Sequence, residues 1–360
     1  MSPNAVVSPA VTHPVVRQAL ELAQVIDGHN DLAHRARSIA GYSVEGLLAG
    51  SPFQTDVDRL RRGGVGGQFW SVYADSELPA VEAVQYTFEQ IDFVYRLLDR
   101  YPEVFELART GDDVRRIWGR GKIASLLGAE GGDSIGGSLA VLRMMARLGL
   151  RYMTLTHNYN VPWADSATDE PVLGGLSDFG REVVREMNRL GVLADLSHVS
   201  ADTMRDAIRT SSAPVIFSHS SCQALCAHPR NVPDDVLASL PGNGGVLMVA
   251  FVPMFLSEEY DAWFRGGQQG PRPPVTVDHV ADHIEHAREV AGIDHIGLGS
   301  DYDGFDDFPE GMTSVSGFAP LLDRLAERGW SARDLSRLTG ANVLRVLDET
   351  GAESVAAGRR

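Results

Sequence analysis

Eight short runs of Val, Ile, Leu and Phe, set apart by segments of helical period, constrain the fold of this 360-residue chain more than any other feature. In order they are VIDGHND (25–31), GQFWSVY (67–73), IASLLGAEG (123–131), RYMTLTH (151–157), GVLADLSH (191–198), PVIFSH (214–219), GGVLMVAF (244–251) and HIGLGSDYDG (295–304). Near-continuous apolar runs of this length suit strands buried on both faces, as in a parallel sheet. Helix-period segments lie between most of them, among them 83–100, 138–149, 177–191 and 200–210. Ser138, Ser177 and Ser200 stand where N-caps are expected, and Gly149 and Gly191 where helices should stop. Later helices are expected over 233–240, 276–291 and 331–347. Parallel strands need long crossovers, and these spacings supply them. The expected fold is therefore α/β, a closed (β/α)8 barrel of TIM type.

Barrels of this kind routinely run past about 250 residues as one unit, so residues 1–360 read as a single barrel domain. No linker and no internal repeat divides them. Residues 32–66, which include GGVGG (63–67), are the largest irregular stretch and are expected to form a loop excursion over the barrel mouth.

Composition excludes several partners. The net charge is −16 and Lys122 is the only lysine, so no basic stripe follows a phosphate backbone and nucleic acid is not an expected partner. The N-terminal segment is interrupted by Pro9, His13 and Pro14 and does not read as a signal peptide. No run of 18 apolar residues exists, and the polar GAESVAAGRR end is no lipid-anchor signal, so no membrane association is expected. Cys222 and Cys226, with helical spacing, read as packing thiols in a reducing, cytoplasmic setting.

The chemistry gathers at the run ends. The first run closes on His29-Asn30-Asp31, the third holds Glu130, the fourth ends at His157, the fifth at His198 and the sixth at His219. The eighth contains Asp301 and Asp303, and the second offers Tyr73. In a (β/α)8 barrel the C-terminal strand ends converge on one mouth, where active sites form. His29 and Asp31, two apart on a strand, share a face. Three imidazoles and two carboxylates (His29, Asp31, Glu130, His198, His219) suit zinc by ligand type. Two metals sharing one carboxylate would lie about 3.5–4 Å apart, as in hydrolytic two-metal sites. His279, His283 and His286 also have helical spacing, but they fall on a helix expected outside the barrel and read as a solvated face. Phe69 and Trp70 read as core, and Asp303 as a turn cap.

Nine segments in order resemble the renal, or membrane, dipeptidase family of zinc enzymes within the amidohydrolase superfamily. They are DGHNDL (27–32), GGQFWSVY (66–73), GAEGG (128–132), RYMTLTHN (151–158), PWADS (162–166), DLSHVS (195–200), FSHSS (217–221), RNVPDDVL (230–237) and GSDYDG (299–304). The resemblance implies two Zn2+ per subunit, with His29 and Asp31 on one, His198 and His219 on the other, and Glu130 as the bridging carboxylate. It also implies that His157 contacts the scissile carbonyl, Arg230 binds the substrate's terminal carboxylate and Asp301 transfers the proton. Asn231, beside Arg230, is a further candidate for substrate binding. The expected substrates are small dipeptides, including those with a C-terminal D-residue, and the expected assembly is a homodimer. Ala33-His34 departs from the Pro-Trp that eukaryotic members often carry after HND, and this bears on side-chain preference. A lactonase or deaminase on the same scaffold, or a non-catalytic metal-binding protein, are the competing readings.

Overall fold

The computed structural model describes residues 9–358. The outermost residues, on which the signal-peptide and lipid-anchor expectations and the ends of the 1–360 domain partly fall, lie outside the described residues.

The chain forms β1 (Val25–Asn30), β2 (Val65–Tyr73), β3 (Phe105–Leu107), β4 (Ile123–Glu130), β5 (Leu150–Thr154), β6 (Leu193–Asp195), β7 (Ile216–Ser220), β8 (Val246–Val249) and β9 (Ile296–Leu298). Every one of these pairings is parallel. Strands β1, β2 and β4 to β9 close into an eight-stranded barrel, sealed where Gly67–Tyr73 of β2 pairs with Ala124–Glu130 of β4. The expected (β/α)8 architecture is the one observed. Strand β3 is additional and too short to stand out in the sequence. It takes the edge of β4 at Ile123–Ser125, just before β5 joins that edge at Leu127.

Side chains alternate across the barrel wall, as a two-residue repeat requires. Ile26, Leu126 and Met248 join Phe69, Tyr152, Leu193 and Ile216 in one buried cluster. Their neighbours Val25, Leu127 and Leu247 belong to a second cluster, shared with the surrounding helices. At Gly128 an added Cβ would lie 2.0 Å from Tyr152 Cζ, so only glycine leaves room for that ring.

The helices follow the sequence signals with some exceptions. Ser177 and Ser200 accept backbone N–H bonds as N-caps of Asp178–Leu190 and Ala201–Thr210, and Gly191 ends the first of these at φ 68°. Ser138 makes no side-chain cap bond. The stretch 32–66 is not a bare loop: it folds into the helices Leu32–Ala40 and Val57–Arg62, and Gly66 and Gly67 belong to β2. The expected helix 233–240 breaks into Asp234–Leu237 and Leu240–Asn243, with Pro241 at the start of the second. The last helix continues to Gly358 after a π-helical stretch at Arg337–Ala341.

The helix Val277–Ala291 corrects another expectation. His283 is not solvated: it is 1% exposed, its Nδ1 accepts the Cys222 N–H at 3.1 Å, and its Nε2 lies 3.3 Å from the Leu256 carbonyl. His279 closes a capping box with Thr276, and His286 meets Asp234 at 2.8 Å. Cys222 and Cys226 are buried free thiols, as expected of packing residues. Among the described residues no helix is long and apolar enough to cross a membrane.

Candidate metal centre

Glu130, the last residue of β4, projects into a cavity of about 690 Å³ at the C-terminal end of the barrel. Its Oε1 lies 3.0 Å from His198 Nε2 and 3.5 Å from His219 Nε2, while Oε2 lies 3.5 Å from His29 Nε2. His29 Nε2 is in turn 3.1 Å from Asp31 Oδ2. His157 Nε2 stands 3.9 Å from Glu130 Oε1, and its ring lies 4.4 Å from that of His198. Asp301 groups with His29 and Asp31. All five sequence-derived ligand candidates, with His157 and Asp301, are thus brought together, although they come from six segments of the chain.

Strand geometry explains part of this. His29 and His219 lie within β1 and β7. His157, His198 and Asp301 follow the ends of β5, β6 and β9 by three residues each, because those strands stop earlier than the apolar runs. His198 and Asp301 are both non-glycine residues at φ 67°. Such left-handed backbone persists only where its surroundings hold it, and it clusters at functional sites.

The electrostatics suit a cation. Burial drives the His198 and His219 imidazoles well below the usual histidine range, leaving neutral rings with a free lone pair. Burial also opposes charge on His29, but Tyr152, Asp31 and Glu130 outweigh it and hold this ring well above that range. The carboxylates therefore favour positive charge at that point, whether a proton or a metal. Burial raises Asp301 well above the usual carboxylate range, against the pull of His29 and with Asp31 and Glu130 adding to the rise. Donors of this type and convergence fit divalent metal ions.

Arg230 lines the same cavity and is 3% exposed. It donates to Ser220 Oγ at 3.2 Å and to the His219 carbonyl at 3.1 Å, and its guanidinium lies over the Phe255 ring. Among the described residues its Nε has no hydrogen-bond partner. Burial lowers its pKa to about 10. Asn231 behaves differently from expectation. It does not line the cavity; its side chain donates to the Cys226 and Phe255 carbonyls and accepts the Ser221 N–H. With both ends of the amide committed to backbone, Asn231 fastens the loop that carries Arg230.

Tyr73 does reach the cavity, with its ring 4.7 Å from His157 and 5.0 Å from His34. Phe69 and Trp70 are core. Asp303 exchanges bonds with Gln54, accepting its N–H at 2.8 Å and donating its own to Gln54 Oε1, which ties the 51–56 segment to the mouth. His228 and Asp75, which also line the cavity, had no motif to mark them. Lys122, beside Glu106, precedes β4 at the opposite end from Glu130.

An eight-stranded parallel barrel whose mouth gathers histidines and carboxylates defines the class: a (β/α)8 barrel protein with a candidate divalent-metal centre. The chain belongs to the membrane dipeptidase family (Peptidase family M19), whose model matches residues 15–358. It is 42% identical over 364 residues to the dipeptidase tcpJ of Claviceps purpurea (strain 20.1), covering 97% of this chain and 82% of the relative. A metallopeptidase from Rhodobacter sphaeroides, solved with a phosphinate mimic of the dipeptide L-Ala-D-Ala, is similar at TM-score 0.81 and 25% identity, covering 91% of this chain and 99% of the other. The probable dipeptidase PvdM from Pseudomonas aeruginosa shares the fold at TM-score 0.83 and 23% identity, over 95% and 100% of the two chains.

Proposed function

We propose that this protein is a binuclear zinc dipeptidase. The observation that carries the reading is the gathering of His29, Asp31, His198 and His219 around Glu130, at the floor of a cavity lined by Asp31, Glu130, His198 and Arg230. Family membership supports it. His29 and Asp31 would hold one zinc and His198 and His219 the other, and Glu130, with Oε2 near His29 and Oε1 near His198 and His219, would serve both. Zinc bound there supplies Lewis acidity and a water nucleophilic at neutral pH.

The chain's own residues do the rest. Asp301, beside His29 and Asp31, takes the proton of the attacking water and delivers it to the leaving amine. His157, neutral because burial lowers its pKa, donates a hydrogen bond to the oxyanion that develops on the scissile carbonyl. Arg230 grips the free carboxylate of the substrate through its planar fork. Anchoring that carboxylate one residue from the scissile bond restricts substrates to dipeptides. A C-terminal D-residue is included among them, as the ligand of the Rhodobacter relative suggests.

The test is a chromatographic assay of the zinc-loaded protein on L-Ala-D-Ala, L-Ala-L-Ala and L-Ala-L-Ala-L-Ala. Cleavage of one or both dipeptides, with the tripeptide untouched, is the expected result. A protein carrying zinc yet inert on every dipeptide overturns the reading.

A further inference from the structure

We propose that Asp195, acting through the Ser218 hydroxyl, is a positioning residue that fixes the His219 imidazole with its Nε2 lone pair toward Glu130. This rests on the reading of the cluster as a metal centre.

Asp195 ends β6, is fully buried and does not line the cavity. Its Oδ1 accepts the N–H of Ser218 at 2.8 Å and of Ser197 at 3.2 Å. Its Oδ2 accepts the hydroxyls of Ser218 at 2.6 Å and Thr154 at 2.5 Å. Ser218 Oγ also lies 2.8 Å from His219 Nδ1. A hydroxyl has one proton to give. Four donors already point at Asp195, so it acts as an acceptor, and the Ser218 proton belongs to it. The Ser218 oxygen is then left to accept, and His219 must carry its proton on Nδ1. The Nε2 of His219 is thereby bare, 3.5 Å from Glu130 Oε1 and 2.9 Å from His198 Nε2.

The other imidazoles of the cluster lack this backing. His29 Nδ1 faces the Tyr152 hydroxyl at 2.8 Å, and among the described residues His198 Nδ1 has no hydrogen-bond partner. The barrel repeats the clamp once. Asp27 accepts both the N–H of Ser300 at 2.8 Å and its hydroxyl at 2.7 Å, and the residue after Ser300 is Asp301. In both places an aspartate on one strand grips a serine on, or just past the end of, the neighbouring strand, directly before a residue of the site. Partners behind a metal-binding histidine fix its tautomer and raise its basicity, and their loss typically weakens metal binding about 10- to 100-fold.

The experiment titrates Zn2+ against a chromophoric chelator for wild type, Ser218→Ala, Asp195→Asn and Thr154→Val, with thermal melts in EDTA. Wild type is expected to take up two Zn2+. Ser218→Ala should hold one of them about 10- to 100-fold more weakly. Asp195→Asn, which keeps the shape and removes the charge, should weaken the same ion. Thr154→Val strips one bond from Asp195 without touching Ser218, so it should lower the EDTA melting temperature yet leave zinc affinity in place. In the cobalt-loaded protein the visible bands should move for Ser218→Ala and stay for Thr154→Val. Unchanged zinc affinity in Ser218→Ala, or an equal loss in Thr154→Val, overturns the relay. A wild-type protein that takes up no zinc overturns instead the metal reading beneath it.

Discussion

The Tyr152 hydroxyl stands 2.8 Å from His29 Nδ1, inside the barrel and behind the ring that faces Asp31 and Glu130. The Tyr152 ring reaches that place because Gly128, opposite it on β4, has no side chain. Gly128→Ala would force a methyl group into the ring. Overpacking of this kind costs about 1–3 kcal/mol, and urea melts of the metal-free protein should show a loss of that size. Zinc affinity should fall with it, because the displaced hydroxyl no longer braces His29.

Asp301 is held at φ 67° beside His29 and Asp31, and a Cβ at Gly304 would come within 2.4 Å of both carboxylates. Asp301→Asn preserves the shape and removes the carboxylate proposed to accept the proton. General acid–base catalysis contributes about 100- to 10,000-fold, so kcat should drop within that range while metal content by atomic spectroscopy stays at the wild-type level. Near-normal turnover would take Asp301 out of the mechanism.

Arg230 predicts a difference between substrates rather than a general loss. Arg230→Ala should reduce kcat/KM for dipeptides with a free C-terminal carboxylate by about 100-fold or more, as loss of a charge-assisted bidentate pair implies. Amidated dipeptides, which lack that carboxylate, should change little. Parallel losses on both would place Arg230 outside carboxylate recognition.

His283 predicts a pH dependence of stability away from the site. Burial lowers its pKa from 6.5 to about 4, so between those values the unfolded chain binds the proton and the folded one does not. Stability from this residue is therefore full above pH 6.5 and is lost as pH falls toward 4. Linkage over that interval amounts to about 2 kcal/mol between pH 7 and pH 4.5. Urea melts at the two pH values should show His283→Asn less pH-dependent than wild type by about that amount. Identical slopes would mean that His283 titrates normally.

The departure at Ala33-His34 acquires a physical meaning in the structure. Ala33 is buried, whereas His34 lines the cavity, with Nδ1 3.1 Å from the Tyr86 hydroxyl and its ring edge-on to Tyr73. The position thus belongs to a polar and aromatic wall of the cavity.

The sequence by itself determined the barrel and the cast of its mouth. Apolar runs of strand length alternate with helix-period segments, and this local pattern leaves little choice of architecture. His29, Asp31, Glu130, His157, His198, His219 and Asp301 stand at or just past the run ends, where chain order alone carries them to one rim. Tertiary structure decided what depends on contacts between segments distant in the chain. It placed the Asn231 amide among backbone carbonyls, buried His283 against Cys222, and set Asp195 behind His219 through Ser218. It also added β3, three residues that become a strand only because the edge of β4 is open to them. A periodic pattern records which face of an element is apolar. Which polar atom meets which is fixed only when separate strands are brought within hydrogen-bond distance, and no local pattern encodes that distance.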